Sequence, residues 1–217
     1  MQLRFIVLVV TAAAGPVWLA AQASPVAKDT KGATGSVRYS PAPTGNEARF
    51  IVHEQLAGAT LPSDAIGSTT AISGFIILDA RGAVDTMVSQ IRVDLTTLKS
   101  DQERRDRYIK RRTIGVDSFP TAVLRVKELR GFPTKLPATG AISFVVAGDL
   151  TIHGVTKPSL WEATATVNSG TISGRATTNF RFGDFGMERP RVMVVLSVAD
   201  DIKLEYDFHF VATTGEP

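Results

Sequence analysis

From Gly35 onward the chain alternates apolar and polar side chains with period two, in one short run after another, with turn residues between the runs. Successive Cβ atoms of an extended chain point to opposite sides, so this period gives each strand one apolar and one polar face. Tyr39 closes a short first strand before the loop at 41–46. Ala48, Phe50 and Val52 share one face of the next run, and Arg49 and His53 take the other. The run 72–80, with Ile76 and Leu78 in it, ends at Arg81-Gly82. Ile91, Val93 and Leu95 alternate with Arg92 and Asp94, and Leu124 and Val126 with Arg125 and Lys127. Ile142, Phe144, Val146, Leu150 and Ile152 share a face. Trp161, Ala163, Ala165 and Val167 oppose Glu162, Thr164 and Thr166. Ala176, Thr178, Phe180 and Phe182 oppose Arg175, Asn179 and Arg181. Val192, Val194, Leu196 and Val198 form one face of a further run. Leu204, Tyr206, Phe208 and Phe210 oppose Lys203, Glu205, Asp207 and His209. About eight or more half-buried strands with few helices are the signature of an antiparallel sheet closed as a barrel or sandwich.

One segment breaks the period. Ser100-Asp-Gln-Glu103 has capping-box spacing, in which Ser100 accepts from the Glu103 backbone N–H. It predicts a helix over 101–112, anchored by Tyr108 and Ile109. This helix is heavily basic: Arg104, Arg105, Arg107, Lys110, Arg111 and Arg112 face only Glu103 and Asp106. Two readings stand for it. A charged helix face can simply be solvated, or it can dock weakly on an anionic membrane surface.

The N-terminus reads as a leader. Arg4 precedes an apolar stretch that begins Phe5-Ile-Val-Leu-Val-Val10 and runs to Ala21-Gln-Ala23, an A-x-A cleavage pattern. Gly15-Pro16 interrupts the run short of the roughly 20 apolar residues that a membrane span needs. The expected organisation is a signal peptide over 1–23, a polar lead-in over 24–34, a barrel domain over 35–212 and a tail over 213–217. The expected location is periplasmic or secreted. No cysteine occurs anywhere in the 217 residues, so the domain must be held by its core alone. The formal net charge of +3 is too small for a dedicated nucleic-acid binder.

No nucleophile elbow, zinc-protease motif, phosphate-binding loop or cysteine nucleophile is present. His53, His153 and His209 all fall on polar faces by alternation and read as solvated rather than as converging metal ligands. Asp200-Asp201 reads as an exposed turn, and Asp184 as a turn former. The aromatic inward set either fills the barrel or lines a cavity, and alternation does not decide between these.

Three segments resemble a known family. Gly148-Asp-Leu-Thr-Ile-His-Gly-Val-Thr-Lys-Pro158 has the form of a hairpin whose reversal falls at His153-Gly154. Asp94-Leu-Thr-Thr-Leu-Lys-Ser-Asp101, Arg105-Asp106 and Phe119-Pro120-Thr-Ala-Val-Leu124 form a central block. Phe180-Arg-Phe-Gly-Asp-Phe185 is a late aromatic strand. Together they resemble the YceI-like family of bacterial lipocalin-like barrels, which hold a polyisoprenoid or similar lipid. Where family members often carry an aromatic or Leu-rich turn after the helix, this chain has Arg111-Arg-Thr-Ile-Gly-Val.

The resemblance implies an all-β, antiparallel lipocalin-like barrel of about eight strands with one short helix. It implies a binding protein, not an enzyme, with no cofactor and with an isoprenoid quinone or polyprenyl lipid as partner. The pocket would be lined by Phe50, Val52, Ile76, Leu78, Ile91, Val93, Leu124, Val126, Phe144, Val146, Trp161, Phe180, Phe182, Val194, Tyr206 and Phe208. Head-group or membrane contact would fall to Arg105, Lys110, Arg111 and Arg112. Arg105 and Asp106 also have a structural reading: adjacent helix residues diverge, so each must find its own partner in the wall or loops. An enzyme acting on such a lipid, and a solid barrel serving as an interaction or stress module, are the alternatives.

Overall fold

The computed structural model describes residues 35–58, 60–191 and 195–214. The strands are β1 (Val37–Pro41), β2 (Glu47–Leu56), β3 (Ser63–Thr69), β4 (Ile72–Leu78), β5 (Gln90–Asp94) and β6 (Lys99–Ser100), followed by the helix α1 (Glu103–Tyr108). Then come β7 (Thr121–Arg130), β8 (Thr139–Ile152), β9 (Val155–Asn168), β10 (Thr171–Arg181), β11 (Val195–Val198) and β12 (Asp201–Thr214). Every pairing is antiparallel. The ring runs β1-β4-β5-β7-β8-β9-β10-β12 and closes where β12 pairs back to β1. This is the closed eight-position barrel of lipocalin type that the alternation and the resemblance implied.

The long strand β12 changes partner along its length. It pairs with β1 through residues 210–214 and with β2 through residues 203–207. Between these stretches the loop 42–46 interrupts the ladder, and Asn46 replaces the missing bonds. Its Oδ1 accepts from the Tyr206 hydroxyl and from the His209 N–H, each at 3.0 Å, and its Nδ2 donates to the Ala42 carbonyl at 2.8 Å. A buried amide is tolerated because both its ends are satisfied. β2 continues into β3 on the same end of the barrel, and β3 pairs with the short β6.

Burial follows the period. In β9, Trp161, Ala163, Ala165 and Val167 are buried while Glu162, Thr164, Thr166 and Asn168 are exposed. In β7 a bulge between Val126 and Glu128 shifts the register, so that Leu129 turns inward after Val126. The strands β2, β10 and β12 are joined by an ionic network. Arg49 pairs with Glu47, with Asp207 at 2.7 Å and with Glu205 at 3.2 Å. Arg175 also pairs with Asp207, and Lys203 with Glu205 at 2.8 Å.

Four expectations are corrected. Ser100 does not cap the helix: the N-cap is Gln102, with no side-chain bond. Instead Asp106 reaches back, accepting from the Ser100 N–H at 2.7 Å and its hydroxyl at 2.6 Å. The helix is regular only through Tyr108; a π-helical turn, Ile109–Ile114, follows and ends at Gly115 in left-handed conformation. The wider turn buries Thr113 and Ile114, so Ile114 is an anchor the linear pattern did not single out. Val192 and Val194 lie outside the described residues, and Leu196 does not share a face with Val198. A bulge between Val195 and Ser197 turns Leu196 outward. Finally, His153 and His209 are half-buried rather than solvated, whereas His53 is exposed and pairs with Asp64.

Candidate ligand-binding cavity

The barrel interior is not filled. It holds a cavity of about 780 Å³, walled by the inward faces of the ring strands and closed over in part by the helix. Of the residues expected to line a pocket, Phe50, Val52, Ile76, Ile91, Val93, Leu124, Val126, Phe144, Val146, Trp161, Phe180, Phe182, Tyr206 and Phe208 all do so. Leu78 is buried in the wall but does not reach the cavity, because its strand position lies at the far end behind Tyr39 and Val37. Val194 lies outside the described residues.

The two ends differ. At the far end an aromatic cluster forms a floor. Phe132, from the connection after β7, meets Tyr39 at 6.3 Å and Phe144 at 5.1 Å between ring centroids, both edge-on. Phe208 continues the cluster toward Phe210 at 5.6 Å. Edge-to-face rings pack the floor without leaving polar groups to satisfy. Tyr39 and Tyr206 both carry phenols in the wall, and burial pushes the pKa of each up. The Tyr206 hydroxyl is spent on Asn46.

At the helix end the cavity opens, since Ala57, Asp101, Gln102 and Arg104 line it and are themselves exposed. Here alternation puts a charge on an apolar face. Glu54 follows Ala48, Phe50 and Val52 inward along β2 and keeps only 7% of its side chain in solvent. A carboxylate so placed needs a partner, and Arg105 of α1 supplies it, Nη2 to Oε1 at 2.6 Å. The other Arg105 nitrogen holds Asp101, one helical turn back. Arg105 and Asp106 thus diverge as the helix geometry requires: one ties the helix to β2, the other ties it to Ser100 of β6. Lys110, Arg111 and Arg112 do not line the cavity. Thr113 does, and its buried Oγ1 has no hydrogen-bond partner among the described residues.

Two further motifs brace this rim. The hairpin of β8 and β9 reverses at His153 and Gly154, with φ of 51° and 73°. His153 packs edge-on against Phe119, with centroids 4.7 Å apart, and its Nδ1 donates to the Phe185 carbonyl at 3.1 Å. Asp184 accepts from the Arg181 N–H at 2.7 Å and fixes the 3₁₀ turn Phe182–Phe185, whose Phe182 and Phe185 are buried. Lining residues not put in the expected pocket include Glu54, Leu98, Ile114 and Met187 at the rim and Leu129, Leu150 and Ile172 in the wall. Glu54 was open to discovery by parity alone. Leu98, Ile114 and Met187 lie outside the regular strands, where period two says nothing.

A closed antiparallel barrel with an open, apolar, aromatic-floored interior and one polar rim is a lipocalin-like ligand-binding architecture. The chain belongs to the YceI-like family: the family model described as a YceI-like domain matches residues 39–210. It is 31% identical over 146 residues to a UPF0312 protein of Vibrio parahaemolyticus, covering 67% of this chain and 65% of that one. It is 35% identical over 111 residues to a UPF0312 protein of Pseudomonas putida, covering 47% of this chain and 54% of that one. The chain therefore spans less than two thirds of the length of each of these curated relatives. Among solved structures, a polyisoprenoid binding domain from Saccharophagus degradans superposes with a TM-score of 0.62 at 12% identity, over 81% of this chain and 98% of that one. Burkholderia cenocepacia BcnA superposes with a TM-score of 0.56 at 17% identity, over 77% and 96%. At these identities the likeness concerns the fold.

Proposed function

We propose that this protein binds a long apolar lipid of isoprenoid quinone or polyprenyl type inside the barrel, and carries or buffers it after export to the periplasm or the exterior. The observation that carries the reading is the 780 Å³ interior cavity, walled almost wholly by aliphatic and aromatic side chains. Each buried CH₂ contributes roughly 0.8 kcal/mol, so a few prenyl carbons outweigh an exposed head-group ion pair worth about 0–1 kcal/mol. Affinity then resides in the chain, and the rim selects its polar end. Thr113, whose hydroxyl has no partner among the described residues, and Arg104 are rim groups available to that end. The solved domain of Saccharophagus degradans, a polyisoprenoid-binding domain by its description, supports the reading by sharing the fold. The leader over 1–23 supports the export step from sequence.

Catalysis on such a lipid would need an acid or base free to act at the mouth. The inward carboxylate there, Glu54, is held by Arg105, which favours binding over chemistry.

The test is displacement of a fluorescent apolar probe from delipidated protein. A polyprenol or quinone should compete with the probe more strongly as its chain lengthens. Competition by the head group alone, or none by any chain, would count against the reading.

A further inference from the structure

We propose that the cavity rim seats on an anionic lipid surface, through the outward cationic stripe of the helix together with the exposed leucines Leu61 and Leu196. The helix and its π-helical turn have two faces. Arg105, Ile109, Thr113 and Ile114 turn toward the barrel, where all four line the cavity. Arg107 and Arg111, spaced by four residues, are exposed on the other side, as is Arg112, while Arg104 is exposed at the cavity mouth. Arg105 is neutralised by Glu54 and Asp101, and Arg107 faces Glu103 at 3.7 Å. Arg104, Lys110, Arg111 and Arg112 pair with no carboxylate among the described residues, so this stripe carries uncompensated positive charge.

Two aliphatic side chains lie exposed at the same end of the barrel. Leu61, in the connection from β2 to β3, is 74% exposed, and Leu196 on β11 is 69% exposed. Both belong to the same corner as the helix. β11 pairs with the end of β2, Val195 opposite Leu56 and Val198 opposite Glu54, and Glu54 is the residue that holds Arg105. The bulge between Val195 and Ser197 keeps both valines inward and aims Leu196 at solvent. A single exposed leucine needs no explanation, but two at the same open end of an apolar cavity as an unpaired cationic stripe suit one docking surface. Nucleic acid would reward the cations and not the leucines. A lipid interface takes both, with phosphates for the arginines and the acyl boundary for the leucines. Docking of this face stands independently of what the cavity holds.

The experiment is sedimentation of protein, purified from cells expressing the whole chain, with phosphatidylcholine vesicles with and without phosphatidylglycerol. Salt is raised from about 0.1 M to about 1 M, which shortens the screening length from about 10 Å to about 3 Å. Wild type should prefer the anionic vesicles and lose that preference at high salt. Lys110→Gln/Arg111→Gln/Arg112→Gln should weaken anionic binding by about tenfold or more, and Leu61→Ser/Leu196→Ser should weaken it independently. Met87→Ser is the control: Met87 is 83% exposed but sits in the connection from β4 to β5, at the far end. The proposal is overturned if wild type ignores lipid charge and salt, if either rim variant binds as wild type, or if Met87→Ser weakens binding as much as the leucine pair does.

Discussion

Glu54 and Arg105 lie 51 residues apart in sequence and meet at 2.6 Å on the inner rim of the barrel, joining β2 to the helix that roofs the cavity. The pair converts an otherwise misplaced charge on an apolar strand face into a tether. Removing one partner of a buried pair costs more than the pair contributes, because the survivor is left uncompensated. Arg105→Leu should therefore destabilise the protein by about 3 kcal/mol, the low end of that range, since Arg105 keeps 19% of its side chain in solvent. The double change Glu54→Leu/Arg105→Leu should recover most of the loss. Urea denaturation of the four proteins of this cycle measures it, and additive losses would show that the two residues are not coupled.

The cavity gives a second prediction, at Val146, which lines it from β8. Val146→Trp should place the indole in open space, leaving the melting temperature close to wild type while lipid uptake disappears. In a filled core the same change would overpack and cost about 1–3 kcal/mol. Thermal melts and lipid extraction on the same sample distinguish these outcomes.

Gly154 gives a third. It turns the β8–β9 hairpin at φ 73°, and a Cβ there would come within 2.6 Å of the Phe119 ring. Gly154→Ala meets both a left-handed backbone and that ring, which is itself held against His153. A loss of about 1–3 kcal/mol is expected from the backbone and its crowding. Thermal denaturation tests this, and a variant as stable as wild type would mean the turn can relax away from Phe119.

The ionic network of β2, β10 and β12 makes stability fall in acid. A hydrogen bond from Ser68, then one from Arg49, holds the Glu47 carboxyl below its usual range. Lys203 and Arg49 lower Glu205 against its burial, and Arg175 and Arg49 do the same for Asp207. Folded values below unfolded ones mean that the unfolded chain binds more protons in acid. The stabilisation is then fully present above the ordinary carboxylate range of about 4 and is lost as pH falls through the depressed folded values. Arg49→Gln should flatten the acid limb of a plot of urea midpoint against pH. Parallel limbs in variant and wild type would remove Arg49 from this role.

Much of the barrel was legible because parity is a strong signal wherever one face is packed and the other wet. Residues 161–168 of β9 show it without interruption. The strand β3 was not legible, because its inward residues are Ala65, Gly67 and Thr69. Gly67 carries no side chain, since the Phe50 ring lies across it, within 2.3 Å of where a Cβ would stand. Alternation of hydrophobicity is absent there although alternation of burial is present. The bulges at Val126 and Val195 likewise reverse parity in midstrand, and only the partner strand reveals them. At the rim, sequence marked Arg105 but not the carboxylate that holds it. An ion pair between a strand and a helix depends on tertiary placement that neither local pattern contains.

The central claim is that the interior holds a long apolar chain, and native mass spectrometry of the purified protein tests it most directly. Wild type should carry an added mass that is released on denaturation and identified as a polyprenyl lipid or isoprenoid quinone, and Val146→Trp prepared in parallel should be free of it. A wild-type mass without ligand, unchanged after incubation of the protein with polyprenol and quinone, would contradict the account.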